Sequence, residues 1–207
     1  MNVAIVDYGM GNLASVGRAL SEVGARCLIA ERPGQLKEAN GIILPGVGSF
    51  ADGMSHLARD NWIEAIRREV HEGKPILGIC LGMQLLASRG TEGGESKGLD
   101  LIPGEVKRLD ILGCEHRIPH VGWNNIRVLD RNIDLFAGIP SDTDFYFVHS
   151  FAFEAMDATH ILADVQYGIR FPAVIGHRNV FGTQFHPEKS SRLGLRLLRN
   201  FTEAREC

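Results

Sequence analysis

Three side chains in this sequence have the types and spacing of an acyl-transfer site: Cys80, His186 and Glu188. Cys80 stands in Gly78-Ile79-Cys80-Leu81-Gly82, the G-x-nucleophile-x-G form in which small flanking residues permit a sharp strand-to-helix turn. The apolar run Ile76–Ile79 reads as the strand and Leu81 onward as the helix, which sets the sulfur at a helix N-terminus. A free thiol is mostly protonated at neutral pH, and the unpaired N–H groups and dipole of a following helix favour its anion. The bland alternative is a buried cysteine packing as a small hydrophobe, and the elbow by itself does not decide between them.

The second stretch is Gly182-Thr183-Gln184-Phe185-His186-Pro187-Glu188. Residues i and i+2 of an extended segment point the same way, so His186 and Glu188 project from one face with Pro187 stiffening the link. A carboxylate on one ring nitrogen fixes the tautomer and leaves the other nitrogen to take the thiol proton. Cys80, His186 and Glu188 thus form a nucleophile, a base and an orienter. His-x-Glu also opens the zinc deaminase signature, but that needs a following P-C-x-x-C, and the next cysteine is Cys207. Neither a metal nor a cofactor is expected.

Acyl transfer also needs an oxyanion hole. The backbone N–H of Leu81 supplies one donor, and the Pro45-Gly46-Val47-Gly48 turn, through Val47 or Gly48, offers another. A glycine-flanked peptide able to point its N–H either way is a candidate switch, because one missing donor costs on the order of 10²–10³ in rate. Gln84 lies one helical turn beyond Cys80, either as an exposed helix residue or as a hydrogen-bonding group for a polar substrate. His149, Ser150 and Phe151 form the polar tip of a strand whose backbone can hold an amino-acid substrate. Two G-x-G-x-x-A matches, at Gly9 and Gly46, fit a dinucleotide fingerprint. The pattern occurs twice within forty residues, and Asp7 would repel a pyrophosphate, so it carries little.

The elements that position these groups alternate. Strands are expected at Asn2–Asp7, Cys27–Ala30, Gly41–Leu44 and Ile76–Ile79, with amphipathic helices after Asn12 and after Asp60 or Asn61, the latter carrying Trp62, Ile66 and Val70 on one face. Continuous apolar strands separated by helices argue for a parallel sheet covered on both faces. Past the polar loop Thr91–Gly98 come strands with little helix between them: Gly104–Leu109, Gly122–Leu129, Asp144–His149, His160–Tyr167, Pro172–His177 and Val180–Phe185. A final helix from about Ser190 places Leu193, Leu197, Leu198 and Phe201 on one stripe and Arg192, Arg196 and Arg199 on a solvated face. The expected fold is a single α/β domain over 1–207, a largely parallel, flavodoxin-like twisted sheet with added mixed or antiparallel strands.

With 207 residues, 44% of them hydrophobic, and a net charge of −3, one sizeable core is expected and a nucleic-acid footprint is not. No apolar run reaches the ~20 residues that span a bilayer. Cysteines 27, 80, 114 and 207 show no C-x-x-C pairing, and free thiols suit a reducing, cytoplasmic setting.

Taken together, Gly-Ile-Cys80-Leu-Gly-Met-Gln84, Pro45-Gly-Val-Gly48 and His186-Pro-Glu188 resemble the class I, triad-type glutamine amidotransferases. Val6–Asn12, Leu44–Phe50, Pro119–Asn124 and Tyr146–Ser150 are similar to the glutaminase subunits of imidazole glycerol phosphate synthase, and the similarity runs from residue 4 to about 200. The resemblance implies that Cys80 attacks the amide of L-glutamine, forming a glutamyl thioester and releasing ammonia to a (β/α)8-barrel cyclase partner in a heterodimer of histidine biosynthesis. It implies that Gly48, Gln84, His149, Ser150 and Phe151 hold glutamine, and that Tyr8, Asn12, His120, Trp123, Tyr146 and Lys189 line the partner interface. As bare sequence Trp123 reads as core. It also implies low glutaminase activity until the partner binds its own substrate. Phe151 departs from the tyrosine common after His-Ser, so a hydroxyl contact is not expected there. The rivals are another ammonia-donating glutaminase (pyridoxal phosphate, anthranilate or aminodeoxychorismate synthesis), a scaffold that keeps the fold without catalysis, and a thiol protease of similar sheet architecture.

Overall fold

The computed structural model describes residues 1–203; Cys207 lies outside them. The first half alternates as its hydrophobic pattern requires: β1 (Asn2–Val6), α1 (Leu13–Glu22), β2 (Arg26–Ala30), β3 (Gly41–Leu44), α2 (Phe50–Arg59), α3 (Trp62–His71), β4 (Ile76–Ile79) and α4 (Leu81–Leu85). Then follow β5 (Arg89–Gly90), β6 (Ser96–Lys97), β7 (Gly104–Arg108), β8 (His120–Val128), β9 (Thr143–His149), β10 (Phe151–Ala155), β11 (Ile161–Tyr167), β12 (Ile169–His177), β13 (Val180–Thr183) and α5 (Ser191–Glu203).

Nine strands make the main sheet, in the order β2-β1-β3-β4-β13-β12-β11-β8-β9. Its first five members pair in parallel and the rest antiparallel. β3 and β4 are wholly buried because helices cover both faces, which is why they read as unbroken apolar runs. On one side Val16 and Leu20 of α1 pack with Leu197, Leu198 and Phe201 of α5. On the other lie Phe50, Met54 and Leu57 of α2, Trp62 and Ile66 of α3, and Leu81 and Met83 of α4.

The structure departs from the sequence expectation at several points. β13 does not join the antiparallel set alone: it returns to the middle of the sheet and pairs β4 in parallel, Thr183 opposite Ile79. β7 leaves the main sheet for a second one, ordered β10-β7-β5-β6, to which part of the Thr91–Gly98 loop contributes β6. A separate helix, α2, precedes Asp60: its Phe50, Met54 and Leu57 have helical spacing, and Ser49 caps it by accepting from the Asp52 N–H. Asn61 precedes α3 in a left-handed conformation, φ +61°, with no capping bond from its side chain. In α5, Leu193 is half-buried while the other stripe residues are interior; its arginines are exposed, and Arg196 Nε donates to the Ala137 carbonyl at 3.0 Å.

Candidate active site

In a parallel sheet the strands' carboxyl ends share one side, and there the chain leaves β1 at Asp7, β3 at Pro45, β4 at Cys80 and β13 at Gln184. Cys80 itself takes the strained backbone of the elbow, φ +56° and ψ −109°, a region a non-glycine residue occupies only when its surroundings impose it. Those surroundings are explicit. The Cys80 N–H donates to the Thr183 carbonyl at 2.7 Å, and a Cβ on Gly82 would run into the Leu44 carbonyl. Glycine at 82 is therefore the condition for α4 to begin at once against β3.

Cys80 is 7% exposed and its thiol faces the Val148 carbonyl at 3.8 Å. α4 is only five residues long, so the helix dipole behind the sulfur is weak. His186 and Glu188 are joined through Nδ1 and Oε1 at 2.8 Å, with their side chains 4% and 2% exposed. They do not lie on an extended strand: Pro187–Lys189 is a tight 3-10 turn that folds the carboxylate back onto the ring. The turn is held by the Ser190 hydroxyl, which donates to the His186 carbonyl at 2.6 Å and accepts from the Tyr146 N–H at 3.0 Å.

Burial by itself would lower the His186 pKa. The Cys80 thiol and then the Glu188 carboxylate, through hydrogen bonds and charge, outweigh it and push it up to about 9. Cys80 and His186 both stand against β9, the thiol at the Val148 carbonyl (3.8 Å) and the His186 N–H at the Tyr146 carbonyl (2.9 Å); with Nδ1 taken by Glu188, the buried Nε2, which has no hydrogen-bond partner, is the nitrogen free for the thiol proton.

The Pro45–Gly48 turn sits over the elbow. The Tyr8 hydroxyl donates to the Pro45 carbonyl at 2.8 Å, and a Cβ on Gly46 would come 2.9 Å from Leu81 Cβ. Gly48 has φ +113°, which other residues rarely adopt, and Val47 is 48% exposed at the rim. The first N–H groups of α4, from Leu81 on, have no partner within the helix.

Gln84 is not an exposed helix residue. It is 4% exposed, and its Nε2 donates at 3.0 Å to both the Phe151 carbonyl and Gln184 Oε1. Gln184 was not among the residues singled out from the sequence. It is fully buried, and its Nε2 lies 3.9 Å from Cys80 Sγ; the signal was its position two residues before His186 on the same strand exit. His149, Ser150 and Phe151 stand together where β9 passes into β10, next to Val148 and hence to the sulfur.

Of the residues expected on the partner face, Tyr8 and His120 do not reach the surface: both are 3% exposed, Tyr8 tied to Pro45 and His120 inside β8. Burial first, and then the nearby Cys80, raise the Tyr8 pKa far above its usual value. Asn12 and Lys189 are exposed, and Tyr146 is half-buried. Trp123 is 55% exposed, not core. It pairs with Tyr146 across β8 and β9 beside the Val121–Val148 pair, and Lys189 Nζ stands 6.0 Å from the Tyr146 ring. The outer face of this strand pair thus carries an apolar patch of Val121, Trp123 and Val148.

The family model of glutamine amidotransferase class-I matches residues 4–204. The chain belongs to that family. It is 50% identical over 201 residues to the imidazole glycerol phosphate synthase subunit HisH of Moorella thermoacetica, covering 97% of this chain and 94% of that protein. With the HisH subunit of Bacillus subtilis it shares 46% over 204 residues, 97% and 95% of the two chains. Among solved structures, PurLQS of Thermotoga maritima superposes with a TM-score of 0.77 at 19% identity, covering 97% of each chain. A glutamine amidotransferase of Thermotoga maritima gives 0.68 at 17%, covering 98% of this chain and 96% of that one. These two show a shared fold.

Proposed function

We propose that the chain hydrolyses the side-chain amide of L-glutamine as the glutaminase subunit of an imidazole glycerol phosphate synthase, supplying ammonia for histidine biosynthesis. One observation carries the chemistry: a cysteine on a strained elbow and a buried histidine bonded to a buried carboxylate follow two strands paired in parallel, Ile79 opposite Thr183.

The mechanism follows from the groups. Cys80 gives its proton to His186 Nε2 and attacks the amide carbon of glutamine. The oxyanion that forms takes hydrogen bonds from the Leu81 N–H and from Val47 or Gly48. His186, which holds a proton up to about pH 9, passes it to the departing nitrogen, and ammonia leaves. Water then attacks the glutamyl thioester with His186 as base, and glutamate is released. Glu188 keeps the proton-bearing nitrogen of the ring turned toward itself throughout. Gly48, Gln84 and the backbone of His149, Ser150 and Phe151 hold the substrate; the occupied Nε2 of Gln84 suggests that it does so by fixing the Phe151 carbonyl.

The ammonia acceptor belongs to the same proposal: a cyclase subunit with a (β/α)8 barrel, seated over Asn12, Trp123, Tyr146 and Lys189, in a cytoplasmic heterodimer. The exposed apolar patch on β8 and β9, the last two strands of the main sheet, supports it. That the chain is one domain over 1–207 is also proposed, on the grounds that β13, late in the sequence, completes the parallel sheet begun by β1.

The test is Cys80→Ala in the complex of the two subunits. Glutamine-dependent glutamate release should fall at least ~10⁴-fold, while synthesis from added ammonium salt persists. Glutamine-dependent synthesis that survives the substitution refutes the assignment.

A further inference from the structure

Two buried histidines stand next to the proposed glutamine site without any part in its chemistry. His149 Nδ1 lies 2.8 Å from the Phe151 carbonyl. A carbonyl only accepts, so Nδ1 bears the proton and Nε2 of a neutral ring is bare. His120 Nδ1, 3.0 Å from that nitrogen, must then donate. The remaining nitrogen of His120 is an acceptor, and Asn124 Nδ2 stands 3.3 Å from it while also donating to the Gln166 carbonyl at 3.0 Å. Every proton in the chain is thereby assigned by its last member.

Both rings must be neutral for this to hold. A second proton on His149 would face the N–H of His120, and one on His120 would face the Asn124 amide. Burial disfavours both charges, lowering the His120 pKa to about 4 and the His149 pKa to about 3. Stacking fixes the His120 ring between Phe147 and Tyr167, at centroid distances of 4.8 and 4.1 Å. The Phe151 carbonyl receives the end of this chain and, from the other side, Gln84 Nε2. Gln84 leads on through Gln184 to within 3.9 Å of the nucleophilic sulfur.

We propose that Asn124, His120 and His149 form a neutral one-way hydrogen-bond relay whose task is to position the Phe151 carbonyl, and with it the Ser150–Phe151 backbone that receives glutamine. The proposal rests on the glutaminase reading and makes the two histidines positioning residues. The relay lines the inner face of the same strand pair whose outer face carries Trp123 and Tyr146.

The test compares His120→Phe with His120→Asn in the full chain bound to its partner, and reads ring tautomers of the wild-type chain by ¹⁵N spectroscopy at pH 7. Phenylalanine keeps the stack and deletes the donor; asparagine restores an N–H close to the place of Nδ1. With His149 Nε2 left unpaired, the KM for glutamine should rise ~10-fold with kcat within about twofold, and asparagine should recover most of the loss. Both wild-type rings should be neutral with the proton on Nδ1. Unchanged KM in a folded His120→Phe, Phe and Asn variants that behave alike, or a ring that is charged or protonated on Nε2, overturns the relay. If His120→Phe fails to fold, the wild-type spectra decide. A wild-type complex without glutaminase activity defeats the proposed function instead, and the spectra then still decide the relay.

Discussion

Replacing Glu188 by glutamine keeps an oxygen beside His186 Nδ1 but removes the charge. His186 gains a partner on folding: its pKa is about 9 against an ordinary 6.5. A group raised in this way contributes stability that is fully present below pH 6.5 and is lost as pH climbs through about 9. The gap corresponds to about 3 kcal/mol. Glu188 acts across a 2.8 Å contact shielded from solvent. Exchanging that charge-assisted bond for a neutral one removes about 1–2 kcal/mol, so the His186 titration should move down by about one pH unit or slightly more. Catalysis should suffer more than stability, because a glutamine that turns its amide toward Nδ1 selects the wrong tautomer; a loss of ~10²–10⁴ in kcat is expected. Histidine titration by NMR and glutamate release with the partner bound measure the two effects separately. An unmoved His186 titration together with unchanged kcat would refute the assignment of Glu188 as orienter.

Gly82→Ala should prevent the elbow from closing, since its Cβ falls on the Leu44 carbonyl; a destabilisation of at least ~3 kcal/mol, read from denaturant midpoints, is expected. Tyr8→Phe leaves the buried Pro45 carbonyl without its donor, which should cost ~1–3 kcal/mol of stability and loosen the turn over Cys80, seen as faster amide exchange at Val47 and Gly48. Trp123→Ala, on an exposed face, should leave the melting temperature within about 2 °C while weakening binding of the proposed cyclase partner ~30-fold or more, as titration calorimetry would show.

The elbow was legible because everything that makes it is local: an apolar strand, two glycines and a helix start within eleven residues of chain, Ile76–Leu86. The His186–Glu188 pair was legible as a spacing but not as a shape, since Pro187 directs a 3-10 turn where alternation along a strand was expected. α2 was hidden behind the glycine-rich turn before it and by Gly53, which a face-to-face approach of Leu85 explains and sequence spacing does not. Bare sequence favours Trp123 as core, and only the resemblance sets it at an interface, because which face of β8 meets solvent depends on the strand pair at the end of the sheet. The positions of Gln84, His120 and His149 were legible but the hydrogen bonds of their buried side chains, and those of Gln184, were not; each owes its partner to a residue 29 to 100 positions away, or to a carbonyl presented at the turn between two strands.

The sequence by itself determined the chemistry on offer: a thiol raised on an elbow, an imidazole with its carboxylate, and glycines where backbone must turn. The tertiary structure decided which of these meet. Sulfur and imidazole lie more than one hundred residues apart in sequence, and they come to the same end of the sheet because β13 pairs in parallel with β4. Parallel pairing is a long-range choice, made by burying two apolar faces under helices at once, and no local stretch of the chain encodes it.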